Sequence, residues 1–376
     1  MALLPRYFLP LLSFLLVVCA LPGATVEAQS EDPHVEQIGS NQNWRPLFRI
    51  PGALGSLEGD YAEIQSVVEF KGELVAIGSF GFLDGAPCEN IATWTGVTWR
   101  AWDTPPPLAP YIVTTHEDLL VIGTQYDRGE SPLLYAWDGE AWTSLGLTAD
   151  PGDFAFLSQV LSTSDGLLVL GNWYKDNDAS KQLWLFDGEA WSELPLGDLA
   201  KENTIRDMVE HEGEVYFCGT RDFEGGGFVA KFEPSNQTVI ATSERRIHRL
   251  LSTQNGLVVA GSFKTINGVL AKGIAIFDGQ SWSGLGEGLW RSDGRNFSVS
   301  GLFEGADSEI VVVGSFSHSG ETELSSQAYF DGQAWHQFAP FTVLPYLKGV
   351  LEFENKTVFW GHMVLSGTET DHVATK

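Results

Sequence analysis

The chain is short of cations. Its 376 residues carry 22 Lys and Arg against 49 Asp and Glu, a net charge of −27, so its surface repels nucleic acid and anionic membranes. DNA or RNA binding is excluded on that ground. Thiols are as scarce: of three cysteines, Cys19 falls among the first 28 residues, leaving Cys88 and Cys218. Two cysteines in different repeats make no disulfide framework, and Cys218, inside an apolar run, reads as a small buried hydrophobe. No stretch after residue 28 has the roughly 18 apolar residues of a membrane span, and no helical period occurs. Catalytic signatures are missing as well: the sequence has no HExxH, no G-x-S-x-G elbow, no P-loop and no Rossmann glycine pattern. No cofactor is implied.

What the chain does have is a repeat. A hydrophobic run ending in Gly recurs as ELVAIGSF at Gly78, LLVIGTQ at Gly123, LLVLGNW at Gly171, EVYFCGT at Gly219, LVVAGSF at Gly261, IVVVGSF at Gly314 and VFWGHM at Gly361, every 42 to 53 residues. After most copies come an apolar strand, an Asp-Gly pair and a Trp: Asp138/Gly139, Asp187/Gly188, Asp278/Gly279 and Asp331/Gly332 precede Trp142, Trp191, Trp282 and Trp335, and Thr95/Gly96 precedes Trp99. A period of this length marks a propeller blade, and the short β-rich runs between turn residues read as a four-stranded antiparallel meander. The Asp-Gly pairs are expected to form two-residue hairpin turns. The first two strands of a unit are continuously apolar, so both sheet faces are expected to be covered by neighbouring blades. One Trp per unit at one position reads as a packing residue rather than a sugar platform.

The sequence therefore predicts an all-β protein, a seven-bladed β-propeller of four-stranded antiparallel blades. The seventh unit ends in HVATK at 372–376, similar to NIATW at 90–94, and its missing fourth strand is expected from the N-terminal side, with Trp44 as its Trp. Residues 41–376 are expected to form this single domain, closed in one blade by strands from both ends, which would remove an aggregation-prone edge. Residues 1–28 read as a secretory signal, with Arg6, an apolar stretch and Val26-Glu27-Ala28 as the cleavage site; lipid anchoring through Cys19 is the alternative. Residues 29–40 read as a flexible lead-in. The expected product is a monomer, secreted or periplasmic.

The pattern resembles the secreted propeller repeats of the kelch and galactose-oxidase type. In particular it resembles a variant reading G-S-F and then N-I-A-x-W-D-G-x-x-W-x-x-L-G, found in bacterial envelope and extracellular proteins. It lacks the double glycine of true kelch repeats and the Gly-His and Trp-Asp pairs of WD40. The resemblance implies a scaffold that hosts enzymes and binding modules alike. The Asp-Gly-x-x-Trp turns are similar to the Asp-box of sialidases but lack the residue between Asp and Gly.

Alignment of the innermost strands points to a site. The position before the paired apolar residues carries Gln65/Ser66, Pro110/Tyr111, Ser158/Gln159, Arg206/Asp207, His248/Arg249, Val299/Ser300 and Lys348/Gly349. These residues would ring the mouth of the central channel, on the face of the long connections. Arg206, Arg249 and Lys348 are cations in a cation-poor chain, and Glu244-Arg-Arg-Ile-His-Arg249 is its one dense basic cluster. One reading pairs the arginines with carboxylates such as Asp207. The other makes the mouth an anion site, with Arg206 and Arg249 as forked donors, Lys348 and His248 beside them, and Gln65, Gln159 and Tyr111 as neutral partners. A calcium loop at Asp176, Asp178 and Ser180 lacks the Gly and Glu such a loop needs. Three functions follow: a non-catalytic binding propeller for an extracellular protein or glycan, a glycan-active hydrolase or lyase, and a structural envelope protein.

Overall fold

The computed structural model describes residues 62–337 and 346–375 apart from short breaks, together with 45–46 and 53–54. Every repeat becomes an antiparallel sheet in strand order one to four from the inside outwards. Blade 1 is Glu63–Phe70, Glu73–Ser79, Ile91–Trp94 and Trp99–Ala101; blade 2 is Ile112–His116, Leu119–Gly123, Leu134–Trp137 and Trp142–Ser144. Blades 3 to 6 begin at the inner strands Phe154–Thr163, Asn203–His211, Ile247–Thr253 and Ser298–Glu304. Consecutive inner strands lie side by side.

The expectation of seven equivalent blades is corrected to six. Among the described residues, six sheets carry the four-strand repeat from contiguous chain. The terminal sheet has three full strands, Tyr346–Phe353, Lys356–Leu365 and Thr368–Thr375, and among the described residues its expected fourth is only Arg45–Pro46, paired with Thr375 and Ala374. Two residues supply too few ladder bonds to form a blade's outer strand. Trp44, the signal segment and Cys19 lie outside the described residues.

Each seam between adjacent blades has its own core. Blades 1 and 2 meet on Phe70, Val75, Ile77, Ile91 and Leu120; blades 3 and 4 on Leu168, Leu170, Phe217 and Phe228; blades 5 and 6 on Val258, Leu289, Val312 and Trp335. The second strands are buried almost throughout, as in Leu74 to Gly78 and Gly256–Gly261. That is why they read as unbroken apolar runs: both faces are covered, and each buried aliphatic side chain contributes about 1.5–3 kcal/mol. Trp99, Trp282 and Trp335 are buried, whereas Trp142 and Trp191 are half-buried. Several of these indoles also tie a blade to the one before it. The Nε1 of Trp142 donates to Thr104 O, that of Trp191 to Leu145 O and that of Trp335 to Leu285 O.

The turn chemistry differs from expectation. Trp137 pairs with Trp142 and Phe186 with Trp191, so the Asp-Gly segments are four-residue loops. In each the aspartate Oδ1 accepts two backbone N–H groups, from Glu140 and Ala141 for Asp138 and from Glu189 and Ala190 for Asp187. Those bonds hold the carboxyls of Asp138, Asp187, Asp278 and Asp331 below the ordinary aspartate range. The two-residue hairpins are found between first and second strands. There Phe70 pairs with Glu73 across Lys71 (φ 50°) and Gly72 (φ 78°), both with the positive φ of a type I′ turn.

Candidate functional site

A β-bulge recurs near the start of the inner strand. The pairing skips one residue between Ile64 and Ser66, Leu157 and Gln159, Ile205 and Asp207, Ile247 and Arg249, Val299 and Gly301, and Leu347 and Gly349. The skipped residues are Gln65, Ser158, Arg206, His248, Ser300 and Lys348, so the channel-mouth positions read from the sequence are bulge positions. Blade 2 departs from this: its inner strand starts at Ile112, after Pro110, in unbroken register with Gly123. Tyr111 precedes that strand and is 37% exposed.

The bulge also explains the repeat glycine. At Gly219 a Cβ would lie 1.9 Å from Thr204 O, and at Gly314 it would lie 2.0 Å from Ser298 O. Only glycine lets the second strand approach a bulged neighbour this closely. The glycine that gives the sequence its period is therefore what allows the inner strand to re-aim two consecutive side chains at the mouth.

The residues at this level divide into linkers and exposed groups. Gln159 spans blades 3 and 4: its Nε2 donates to Asp207 Oδ1 and Met208 O, and its Oε1 accepts from Met208 N, all at 2.9 Å. Asp207 spans blades 4 and 5, its Oδ2 accepting from Leu250 N at 2.9 Å. Burial pushes the Asp207 carboxyl up, opposed by the charge of Arg249 and these hydrogen bonds. Lys348 joins the terminal sheet to blade 1, with Nζ 2.6 Å from Glu63 Oε1 and donating to Ile64 O at 2.7 Å. The Gln65 amide donates to the other Glu63 oxygen at 2.7 Å. Lys348 and Gln159 are thus engaged in holding sheets together, and Gln65 steadies Glu63 within the same strand.

Arg206 and Arg249 are exposed. Arg206 Nε donates to Thr220 Oγ1 at 3.1 Å and Arg249 Nη1 to His248 O at 3.1 Å. Among the described residues neither forms an ion pair with a carboxylate. The expected partner, Asp207, bonds instead to the amide and backbone groups above. His248 stands between them, its Nε2 2.9 Å from Ser262 Oγ, which donates onward to Ser298 Oγ at 3.1 Å. Burial, with the charges of Arg206, Arg249 and Arg246, lowers the His248 pKa to about 4, so its imidazole is neutral at pH 7. A cavity of about 430 Å³ adjoins this group, lined by Gly225, Glu244, Arg245, Arg246 and Ser262. Burial would raise the Glu244 pKa, but N–H donors from Lys264 and Thr265 outweigh it and hold the carboxyl low. Arg245 and Arg246 extend the site beyond the aligned repeat position; the basic run carried their signal, but alignment to other blades gave them no counterpart.

Asp178 and Ser180 lie exposed on a regular strand, with Asp178 paired to Lys175, and Asp176 lies outside the described residues. Among the described residues no three His, Cys, Asp or Glu cluster as metal ligands, and no helix is long and apolar enough to cross a membrane. Cys88 and Cys218 are both buried and unpaired.

No protein-family model matches the sequence, and no curated protein matches it significantly. Solved structures are similar to it at low identity. YCF48 bound to D1 peptide is 13% identical, with a TM-score of 0.44, over 86% of this chain and 97% of that one. Trypanosoma rangeli sialidase in complex with 2,3-difluorosialic acid is 10% identical, with a TM-score of 0.40, over 84% of this chain and 59% of that one. Nothing in the comparisons points to the kelch type in particular.

Proposed function

We propose that the protein is an extracytoplasmic binding propeller whose channel mouth recognises an anion, a carboxylate or sulfate group on a glycan or protein. One observation carries the reading: Arg206 and Arg249, on adjacent inner strands of a chain with net charge −27, stand exposed and bond to no carboxylate among the described residues, around a neutral His248, the charge of Arg249 also acting on the buried Asp207. A guanidinium presents forked donors matched to carboxylate and sulfate oxygens. In an otherwise negative surface such a group selects anions locally. Arg245 and Arg246 in the adjoining cavity add to the same field. A glycosidase mechanism would need two carboxylates free to face a sugar about 5–10 Å apart, whereas Asp207 and Glu63 at the mouth are committed to Leu250 N, Gln159, Gln65 and Lys348. That favours binding over hydrolysis.

The test is an array of sulfated and uronic-acid glycans probed at low salt, where electrostatic attraction is strongest. The parent should be retained, and R206Q/R249Q should lose at least about tenfold in affinity with unchanged circular dichroism. A parent that binds no anionic glycan or peptide at low salt overturns the reading.

A further inference from the structure

A second site lies at the opposite end of blades 1 and 2. The arginines sit where the inner strand begins, beside the repeat glycine, whereas Phe70 and Glu73 flank the hairpin at its far end. Here a cavity of about 390 Å³ is lined by Trp102 and Trp137, with Glu73, Arg100, Asp103, Thr104 and Glu140 around them. That volume is within the range of about 300–1,000 Å³ usual for small-molecule sites.

Comparison among the repeats shows that packing alone does not call for this arrangement. After the blade Trp, the third position holds Leu145 in blade 2, Leu194 in blade 3 and Leu285 in blade 5, each followed by Gly or Pro. Blade 1 has Trp102-Asp103-Thr104 and a run of three prolines there instead. Leucine closes the same seam in blades 2, 3 and 5, and Phe338 followed by Ala339 stands at that position in blade 6, so among the blades with the repeated Trp only blade 1 places an indole and a carboxylate there. Trp102 is half-buried, and its Nε1 donates to Thr93 Oγ1 at 2.8 Å. Trp142 supports the pair, its ring centroid 5.7 Å from Trp102, stacked, and 5.2 Å from Trp137.

The lining specifies the ligand. Indole rings accept the apolar face of a ring of axial C–H groups and hold it at low entropic cost. Asp103, Glu73 and Glu140 accept hydrogen bonds, and Arg100 donates them. Lys71 is tied to Asp138 O and lies over the Phe70 ring, while Arg100 Nη2 is 4.0 Å from Glu73 Oε2, so the groove is not a cage for a bare cation. A ligand with one apolar face and an edge of both donors and acceptors is a pyranose. We propose that this groove binds a neutral saccharide, stacked on Trp102 and Trp137 and hydrogen-bonded through its hydroxyls to Asp103, Glu140 and Arg100.

Intrinsic tryptophan fluorescence and calorimetry with uncharged hexasaccharides (β-1,4-glucan, α-1,4-glucan, mannan and galactan) test it, with a proline-rich decapeptide as the rival occupant. The parent should bind at least one hexasaccharide with a fluorescence shift. W102L, which installs the residue found in other blades, and D103N should each weaken it by about tenfold or more, while R206Q/R249Q should leave it unchanged. Failure of all four sugars to bind, affinity in W102L and D103N equal to the parent's, or W102L-sensitive binding of the peptide alone would each overturn the assignment.

Discussion

Two stretches of the inner ring carry a cation on the same bulge and use it differently. Where the terminal sheet meets blade 1, Lys348 is neutralised by Glu63 and capped by Ile64 O. Where blade 4 meets blade 5, Arg206 is exposed, and the neighbouring carboxylate, Asp207, bonds to Gln159 and backbone N–H groups. The backbone device is identical in the two places. What differs is whether a carboxylate bonds the cation directly: Glu63 holds Lys348, whereas Asp207 bonds to Gln159 and backbone N–H groups and meets Arg249 only through its charge. Two linkers share a position: the residue after the bulge, Gln159 or Asp207, reaches the next inner strand, whereas Lys348 reaches it from the bulge itself. Arg249 occupies that position in blade 5, but its described bond is to the carbonyl of its own neighbour, His248.

The largest effect is expected from removing the device itself. In G219A the new Cβ would fall 1.9 Å from Thr204 O, so the strands must part and the bulge must flatten, at a cost of about 3 kcal/mol or more. Denaturant unfolding should show that loss together with weakened anion binding, because Arg206 is no longer aimed. The control is G72A: Gly72 has open space around it and only a φ of 78° to strain, which costs about 1–2 kcal/mol. If G219A is no worse than G72A, the repeat glycine does not serve the bulge.

The two junctions should then separate under charge removal. K348Q leaves Glu63 partly buried without its cation and should cost about 2 kcal/mol, with anion affinity unchanged. R206Q/R249Q should do the reverse, leaving the melting temperature nearly unchanged, since exposed charges contribute little to stability, while retention on sulfated glycan is lost. A double arginine variant that unfolds, or a K348Q variant that loses binding, would erase the distinction.

How much of this was legible beforehand depends on range. Strand identity, the meander and the buried second strands follow from local pattern, as at LVVAGSF, and the bulge residues were found by aligning apolar pairs. Blade count was not legible: VFWGHM and HVATK match the repeat, but whether residues near Trp44 supply a full outer strand depends on pairing across some 330 residues, and among the described residues only Arg45–Pro46 pairs. The Asp-Gly turns were misread because dipeptide chemistry does not reveal that Asp138 Oδ1 reaches two N–H groups and lengthens the loop to four residues. Nor could the alignment tell Lys348 from Arg206, because the carboxylate that decides between them, Glu63, comes from a strand distant in sequence. The Trp102 groove was hidden for a related reason: the repeat signal lies in the indole shared by five blades, whereas Trp102 stands at a position where only blade 1 has an indole.

The smallest effect, and the most diagnostic of the blade 4–5 junction, is its response to acid. His248 has a folded pKa near 4 against 6.5 for an ordinary histidine, through burial and the charges of Arg206, Arg249 and Arg246. Its folded value is depressed, so between those limits the unfolded chain binds a proton that the native state refuses. The associated stability is complete above pH 6.5 and is lost as pH falls towards 4, by at most about 3 kcal/mol and less where solvent screens the arginines. H248Q should lack this limb. The low-pKa aspartates Asp293 and Asp331, at about 2, act only below it. A bound anion favours the imidazolium, so affinity for a sulfate ester, which stays ionised throughout, should rise over the same window in the parent and remain flat in H248Q. The Lys348 charge faces the Glu63 carboxylate, so K348Q should follow the parent's pH profile between 4 and 6.5. Equal profiles in parent and H248Q would mean that His248 does not sit in the field of the arginines, and the contrast between the two junctions would lose its electrostatic basis.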